Sequence, residues 1–375
     1  MQAVRFPSET PPPGAAGERA EDWAEDWAGN QERLVPVDRL RSWMDGQGLG
    51  RGPLQHPVAL QGGTQNILLR FVRDGRSYVL RRPPPNPYLD GDKTIQREIR
   101  VLGALADTDV PHARLVAACL DREPLGSAFY LMEAVDGFAA TRGMPDLHAG
   151  DADVQHAMGL EIVDALARLQ AVDPAAVGLD GFGRPEGFLE RQASRWLRQL
   201  DSYDQYAGWD GRRDLAAAER LAAWLDAHLP RDFRPAVVHG DFHVGNLLFS
   251  HDGAALLAIV DWELATIGDP LIDLGCLLAT WTDPDGSHPG CLPVEPWLGF
   301  PTEAELVERY AALTGRDMTH YNWFVVLACF KLGILQEGSY ARACGGLADM
   351  GVARWMHETS INLFQRALGR IQELP

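Results

Sequence analysis

Two short segments hold the densest set of reactive side chains in the 375 residues: Val238-His239-Gly240-Asp241-Phe242-His243-Val244-Gly245-Asn246 and Ile259-Val260-Asp261-Trp262-Glu263. Moving a phosphoryl group from a nucleotide to a hydroxyl asks three things of a protein. A carboxylate must orient the hydroxyl and accept its proton, oxygen ligands must hold Mg²⁺, and a cation must steady the phosphate tail. Asp241 could be the proton acceptor. Asn246 follows it by five residues, and Asp261 ends an apolar strand after a hairpin-length gap. These two suffice as metal ligands, because Mg²⁺ usually takes one or two carboxylates together with phosphate oxygens.

The protein-kinase catalytic loop has the same five-residue separation between its Asp and its Asn. Its phosphate-binding lysine sits on the third strand in V-A-I-K and pairs with a helix glutamate. The matching stretch here is Tyr78-Val79-Leu80-Arg81, in which strand alternation puts Val79 and Arg81 on one face. Val79 would floor an adenine, Arg81 would reach the phosphates, and Glu98 in the following helix would be its partner. Arginine in place of lysine exchanges a point charge for a planar fork. Gln61-Gly62-Gly63-Thr64-Gln65-Asn66, between the first two strands, could let backbone N–H groups approach phosphates. Asp241, Asn246 and Asp261 are expected to converge and to face the Arg81–Glu98 pair.

Each neighbouring residue has a plainer reading. His239 could shuttle protons, but before a catalytic aspartate it more often braces the loop through its ring nitrogens. Gly240-Asp241-x-His243 is similar to the first metal motif of binuclear metallophosphoesterases, yet the Gly-Asn-His segment those hydrolases need does not occur. Asp269 and Asp273 could support the catalytic loop, although helix capping accounts for Asp269 without function. Arg191, Arg195 and Arg198 form one helix stripe, either a solvated face or a dock for an anion. The tryptophans at 196, 209, 262, 281 and 323 read as packing before substrate stacking.

The elements that must position these residues divide the chain. Residues 1–30 read as a disordered, acidic, Pro-rich tail carrying the repeat Glu21-Asp22-Trp23-Ala24, Glu25-Asp26-Trp27-Ala28. An amphipathic helix is expected within 32–56, then strands at Val58–Gln61, Asn66–Val72 and Ser77–Arg81. The last two are joined by Asp74-Gly75, a strong hairpin signal. Pro83-Pro84-Pro85-Asn86-Pro87 makes a stiff loop, a helix covers 92–106, and strands follow at Arg114–Cys119 and Ala128–Glu133. Beyond residue 137 the pattern is mainly helical, with short strands at Ala236–Val238, Leu247–Phe249 and Leu256–Val260. Asp269-Pro270 opens the helix that carries Asp273. The expected organisation is a tail (1–30), a nucleotide-binding N-terminal lobe (31–135) and a helical lobe with the catalytic loop (136–375), with ligands bound in the cleft between lobes.

Composition narrows the function classes. A formal net charge of −18 argues against nucleic acid or an anionic membrane as partner. The five cysteines, Cys119, Cys276, Cys291, Cys329 and Cys344, form no C-x-x-C pair, which favours a reducing cytoplasm over a disulfide framework. No apolar run approaches the length of a membrane span, and the N-terminus has no apolar signal core.

Taken together, His239-Gly240-Asp241…Asn246 and Asp261-Trp262-Glu263…Gly268-Asp269-Pro270…Asp273 resemble the aminoglycoside-phosphotransferase and choline-kinase type of enzyme. Leu80-Arg81-Arg82-Pro83-Pro84, Val172-Asp173-Pro174…Gly178-Leu179, Arg191-Gln192…Arg195-Trp196 and Phe330-Lys331…Gln336-Glu337-Gly338…Tyr340-Ala341-Arg342 are similar to one subgroup. That subgroup includes the kinase-like domain fused to acyl-CoA dehydrogenases and stand-alone kinases of hydroxyacyl-CoA. The resemblance implies an α+β, two-lobed, protein-kinase-like fold with a small sheet-rich N-lobe and a larger helical C-lobe. It implies ATP and Mg²⁺ as cofactors, Asp241 as catalytic base, Asn246 and Asp261 as metal ligands, and Met132, Glu133 and Val135 in an adenine-contacting hinge. It also implies a small-molecule hydroxyl as acceptor, with a hydroxyacyl-CoA ahead of a cationic antibiotic or amino alcohol. A nucleotide-binding pseudokinase is the rival of another class, but a scaffold has no chemical need for Asp241, Asn246 and Asp261 together.

Overall fold

The computed structural model describes residues 34–60, 66–84 and 90–373. The tail, Gly62, Gly63 and Pro85-Asn86-Pro87 lie outside the described residues. The chain forms two units. Among the described residues, one holds those up to Ile99 together with Leu115–Ala134; the other holds Arg100–Arg114 and those from Val135 onward.

In the first unit α1 (Val37–Gly46) follows Pro36 and ends before Gly48 and Gly50, both at positive φ, so it is shorter than the 32–56 window. Then come β1 (Gln55–Ala59), β2 (Ile67–Arg73), β3 (Arg76–Arg82), α2 (Gly91–Leu105), β4 (Leu115–Cys119) and β5 (Phe129–Glu133). The strands form one antiparallel sheet in the order β1-β2-β3-β5-β4. In β2, Ile67, Leu69, Phe71 and Arg73 are buried and alternate with half-buried neighbours. Their face packs with Leu40, Met44, Tyr78, Leu80, Phe129 and Leu131 into the core of this unit. Asp74 and Gly75 have φ of 51° and 74°, the geometry of a primed two-residue turn, and Arg73 pairs with Arg76 across it. β1 lies three residues earlier than expected at its start. It is an edge strand with a bulge between Gln55 and Val58 and His56 at φ 49°, so hydrophobic alternation does not mark it.

The second unit contains α3 (Ala152–Gln170), α4 (Gln192–Asp201), α5 (Ala218–Ala227), the short strands β6 (Ala236–Val238), β7 (Leu247–Phe249), β8 (Leu256–Ile259) and β9 (Thr266–Gly268), then α6 (Leu271–Ala279), α7 (Glu303–Thr314), α8 (Tyr321–Cys344) and α9 (Met350–Glu373). β7 pairs with β8, and β6 with β9. Residues 100–114, which the sequence reading placed in the N-terminal lobe, group with this unit. Ile259 N–H donates to the Pro111 carbonyl at 2.9 Å, and Arg100 donates to the Gly178 carbonyl at 3.3 Å. α5 starts only at Ala218; ahead of it Arg212 is turned back onto Asp201, Asp204 and Glu219. α8 departs from the expectation about apolar runs: by length and composition it could cross a membrane. Most of it is buried, however, packed on α9, α6 and α4, as befits a core helix. All five tryptophans at 196, 209, 262, 281 and 323 are buried, as packing residues are.

Candidate active site

The residues of the second unit's site are placed by two strand pairs. β6 delivers the chain to His239, and β9 runs back beside it, with Val238 opposite Thr266. The turn between them is possible only because residue 240 is glycine. Its φ is 84°, and a Cβ there would lie 2.4 Å from the Leu264 carbonyl oxygen. Asp273, in the first turn of α6 and fully buried, accepts the backbone N–H of His239 at 2.7 Å and that of Gly240 at 2.8 Å, one on each carboxylate oxygen. Burial, only partly offset by the two N–H donors and the Lys331 ammonium, pushes the Asp273 carboxyl up to about 7. Lys331, on α8, donates to the carbonyl of Gly240. Asp269, next to Pro270, caps α6 by accepting Leu271 N–H at 3.0 Å and pairs with buried Arg316 at 3.1 Å.

His239 braces this loop. Its Nε2–H donates to the Val260 carbonyl at 2.9 Å, and its Nδ1 accepts the Asp241 N–H at 3.3 Å. Donating at Nε2 while accepting at Nδ1 needs the neutral ring. Burial drives its pKa down to about 4, against the pull of the Asp241 carboxylate. Between pH 6.5 and 4 the unfolded chain binds this proton and the folded chain does not. The His239 contribution to stability is therefore full above pH 6.5 and lost as the pH falls towards 4.

Asp241 presents a carboxylate whose side chain is 26 % exposed, with Oδ2 at 3.3 Å from His243 Nε2. Burial pushes its pKa up, but His243, Lys331 and His239 outweigh that and hold it below the ordinary carboxylate value. Asn246 donates its Nδ2 to the Asp241 carbonyl at 3.0 Å, which fixes the amide and leaves Oδ1 to act as a ligand. The β7–β8 hairpin then returns the chain to the same place, because Val260 N–H donates to the Asn246 carbonyl at 2.9 Å. The next residue, Asp261, sits at φ 67° and ψ 62°, a left-handed conformation that costs a non-glycine residue on the order of 1 kcal/mol. Asp241, Asn246 and Asp261 are thus gathered by one loop and one hairpin. Among the described residues no group of three or more His, Cys, Asp or Glu could hold a metal. An ion placed by Asn246 and Asp261 would complete its shell with phosphate and water oxygens.

In the first unit Arg81 Nε lies 2.8 Å from Glu98 Oε2, both side chains being buried. Tyr130, directly across from Arg81 in the β3–β5 register, donates its hydroxyl to the same oxygen at 2.6 Å. Val79 faces Met132 in that register, Met132 and Glu133 end β5, and Val135 opens the second unit.

The basic stripe on α4 is smaller than its spacing suggests. Arg191 is committed to the carbonyls of Arg184 and Glu186. Arg195 and Arg198 are exposed and have no carboxylate partner among the described residues. The Arg195 guanidinium lies 4.9 Å from the Trp196 ring centroid, and Lys331 Nζ approaches the same ring at 6.0 Å. The nearby acids are already paired. Arg212 meets Asp201 at 2.5 Å and Asp204 at 3.7 Å, Arg213 takes Asp210, and His357 lies 3.4 Å from Asp214 and 2.7 Å from Glu337. Sequence reasoning gave no role to Tyr130 or Lys331. One signal was available for the second: the chain has 34 Lys and Arg residues, yet only two are lysines, Lys93 and Lys331.

Comparison with known proteins gives these observations a setting. Residues 58–323 match the phosphotransferase enzyme family, APH. Mouse acyl-CoA dehydrogenase family member 10 is 30 % identical over 336 residues, covering 85 % of this chain and 30 % of that protein. Chicken acyl-CoA dehydrogenase family member 11 is 32 % identical over 295 residues, covering 76 % of this chain and 37 % of that protein. The chain therefore spans about a third of the length of these relatives. The crystal structure of an aminoglycoside phosphotransferase candidate from Ralstonia eutropha JMP134 superposes with a TM-score of 0.70 at 29 % identity, over 88 % of this chain and 98 % of that one.

Proposed function

The chain belongs to the phosphotransferase enzyme family, and from that premise we propose that it transfers the γ-phosphoryl group of ATP to the hydroxyl of a hydroxyacyl-CoA. In this reading Asp241 orients the acceptor hydroxyl and takes its proton as the oxygen attacks phosphorus and the bond to ADP breaks. Asn246 Oδ1 and the Asp261 carboxylate are hard oxygen donors, the kind Mg²⁺ prefers, and would hold the ion. When bound, Mg²⁺ neutralises charge on the phosphate oxygens. Arg81, held by Glu98, which Tyr130 holds in turn, steadies the nucleotide phosphates, while Val79 and the Met132–Val135 segment contact the adenine.

One observation carries the choice of acceptor. The exposed Arg195 and the loop-bound Lys331 share the Trp196 ring, so a stretch of positive charge, without a carboxylate partner at Arg195 among the described residues, begins beside Gly240-Asp241. The carboxylates that a polycationic antibiotic would need, at 201, 204, 210 and 214, are engaged by Arg212, Arg213 and His357. An anionic acceptor such as a CoA thioester matches that balance. The acyl-CoA dehydrogenase names of the relatives point the same way.

Reversing the free charges, Arg195→Glu with Arg198→Glu, is expected to raise KM for a hydroxyacyl-CoA about tenfold or more, from the usual worth of contacts to charged groups. The effect should shrink as salt rises, because both side chains are exposed. The free hydroxy acid should be a poor substrate whose KM ignores the change. Steady-state kinetics at two ionic strengths checks this; an unchanged KM for the thioester would remove the stripe from the acceptor site.

A further inference from the structure

We propose that Lys331 is a positioning residue for phosphoryl transfer, clamping the Gly240 carbonyl so that the Asp241 carboxylate stays presented to the acceptor hydroxyl. This rests on the reading of Asp241 as the proton acceptor.

The residue before Asp241 has no side chain to limit its torsions, and it stands at φ 84°. An unrestrained glycine there would let the Asp241 backbone swing. The structure restrains it at both ends. Asp273 takes the N–H groups of His239 and Gly240, and Lys331 Nζ donates to the Gly240 carbonyl. The two clamps come from different helices, α6 and α8, and carry opposite charge, so the Lys331 ammonium also offsets the fully buried Asp273 carboxylate. Its own anchorage is firm. Phe330 and Leu332 on either side are buried, and the ammonium lies within 6.0 Å of the Trp196 ring centroid.

The residue type fits the task. A compact ammonium on a flexible stem can meet a single carbonyl oxygen, whereas a guanidinium presents a planar fork suited to two acceptors. This chain uses arginine almost everywhere, with only Lys93 and Lys331 as exceptions among 34 basic residues, and one of the two stands at the catalytic loop.

Lys331→Met removes the donor and keeps the stem. It is expected to lower kcat about 10- to 100-fold, the usual range for losing a charge-assisted hydrogen bond. KM for ATP should stay close to wild type, and the Tm should fall by no more than a few degrees. Asp241→Asn is measured beside it. If Asp241→Asn is inactive while Lys331→Met keeps full kcat, the clamp is overturned and the proton-acceptor reading stands. If both stay active, the proton-acceptor reading has itself failed. Parallel loss of kcat, nucleotide affinity and Tm would mean a purely structural lysine and would also overturn the proposal. Should Lys331→Met not fold, Lys331→Gln decides: impaired kcat with the Tm within the same few degrees supports the clamp, and full kcat overturns it.

Discussion

Asp241→Asn is expected to lower kcat by about 10²- to 10⁴-fold, the usual worth of a positioned general base, and to leave nucleotide affinity within about twofold. The substitution keeps the shape of the side chain. The shorter bonds that hold the loop run to its backbone: His239 Nδ1 accepts the Asp241 N–H at 3.3 Å, and Asn246 donates to the Asp241 carbonyl at 3.0 Å. The carboxylate meets His243 Nε2 at 3.3 Å and Asn246 Nδ2 at 3.5 Å, contacts an asparagine side chain can keep in part. The asparagine variant should therefore fold and retain the metal-side geometry while losing only the proton acceptor. The low pKa of the native carboxyl means that it is ionised, and accepting hydrogen bonds, throughout the neutral range. A coupled assay of ADP release, with nucleotide affinity measured separately, distinguishes the two effects. Near-full turnover by the variant would show that another group takes the proton.

The second large effect concerns Asp261. Asp261→Ala is expected to weaken Mg²⁺-dependent nucleotide binding by more than about 100-fold, since loss of an outer partner of a metal site alone costs about 10- to 100-fold. The backbone there is left-handed, which Asp tolerates better than Ala. Asp261→Asn is therefore the companion variant: it keeps the turn and removes the charge. Calorimetric titration of ATP with and without Mg²⁺ reads the result directly. If both variants bind Mg²⁺-ATP as tightly as wild type, Asp261 is not a ligand.

Much of this site was legible because its signals are local. The five-residue step from Asp241 to Asn246, the apolar strand before Asp261 and the Asp74-Gly75 turn are properties of short segments, and each is present in the structure. The Arg81–Glu98 pair was also readable, because strand alternation and the next helix fix both partners. What escaped depends on distance along the chain. Tyr130 meets Glu98 only because β5 lies beside β3, a pairing across 49 residues that no short window contains. β9 is three residues, Thr-Ile-Gly, too short to show alternation, and exists because β6 offers it a partner. Lys331 reaches Gly240 across 91 residues. The arginine stripe was overcounted for the opposite reason: periodicity places Arg191 on the face but does not show that backbone carbonyls have claimed it.

The most direct test of the central claim is an acceptor panel with γ-labelled ATP and the purified chain, following label from nucleotide to product. Hydroxyacyl-CoA thioesters are set against the free hydroxy acids, kanamycin-type aminoglycosides and amino alcohols. Mg²⁺-dependent transfer to a hydroxyacyl-CoA is expected, with little to the free acid, none to the antibiotics, and loss of the signal in Asp241→Asn. Efficient labelling of an aminoglycoside with every CoA thioester left untouched would contradict it.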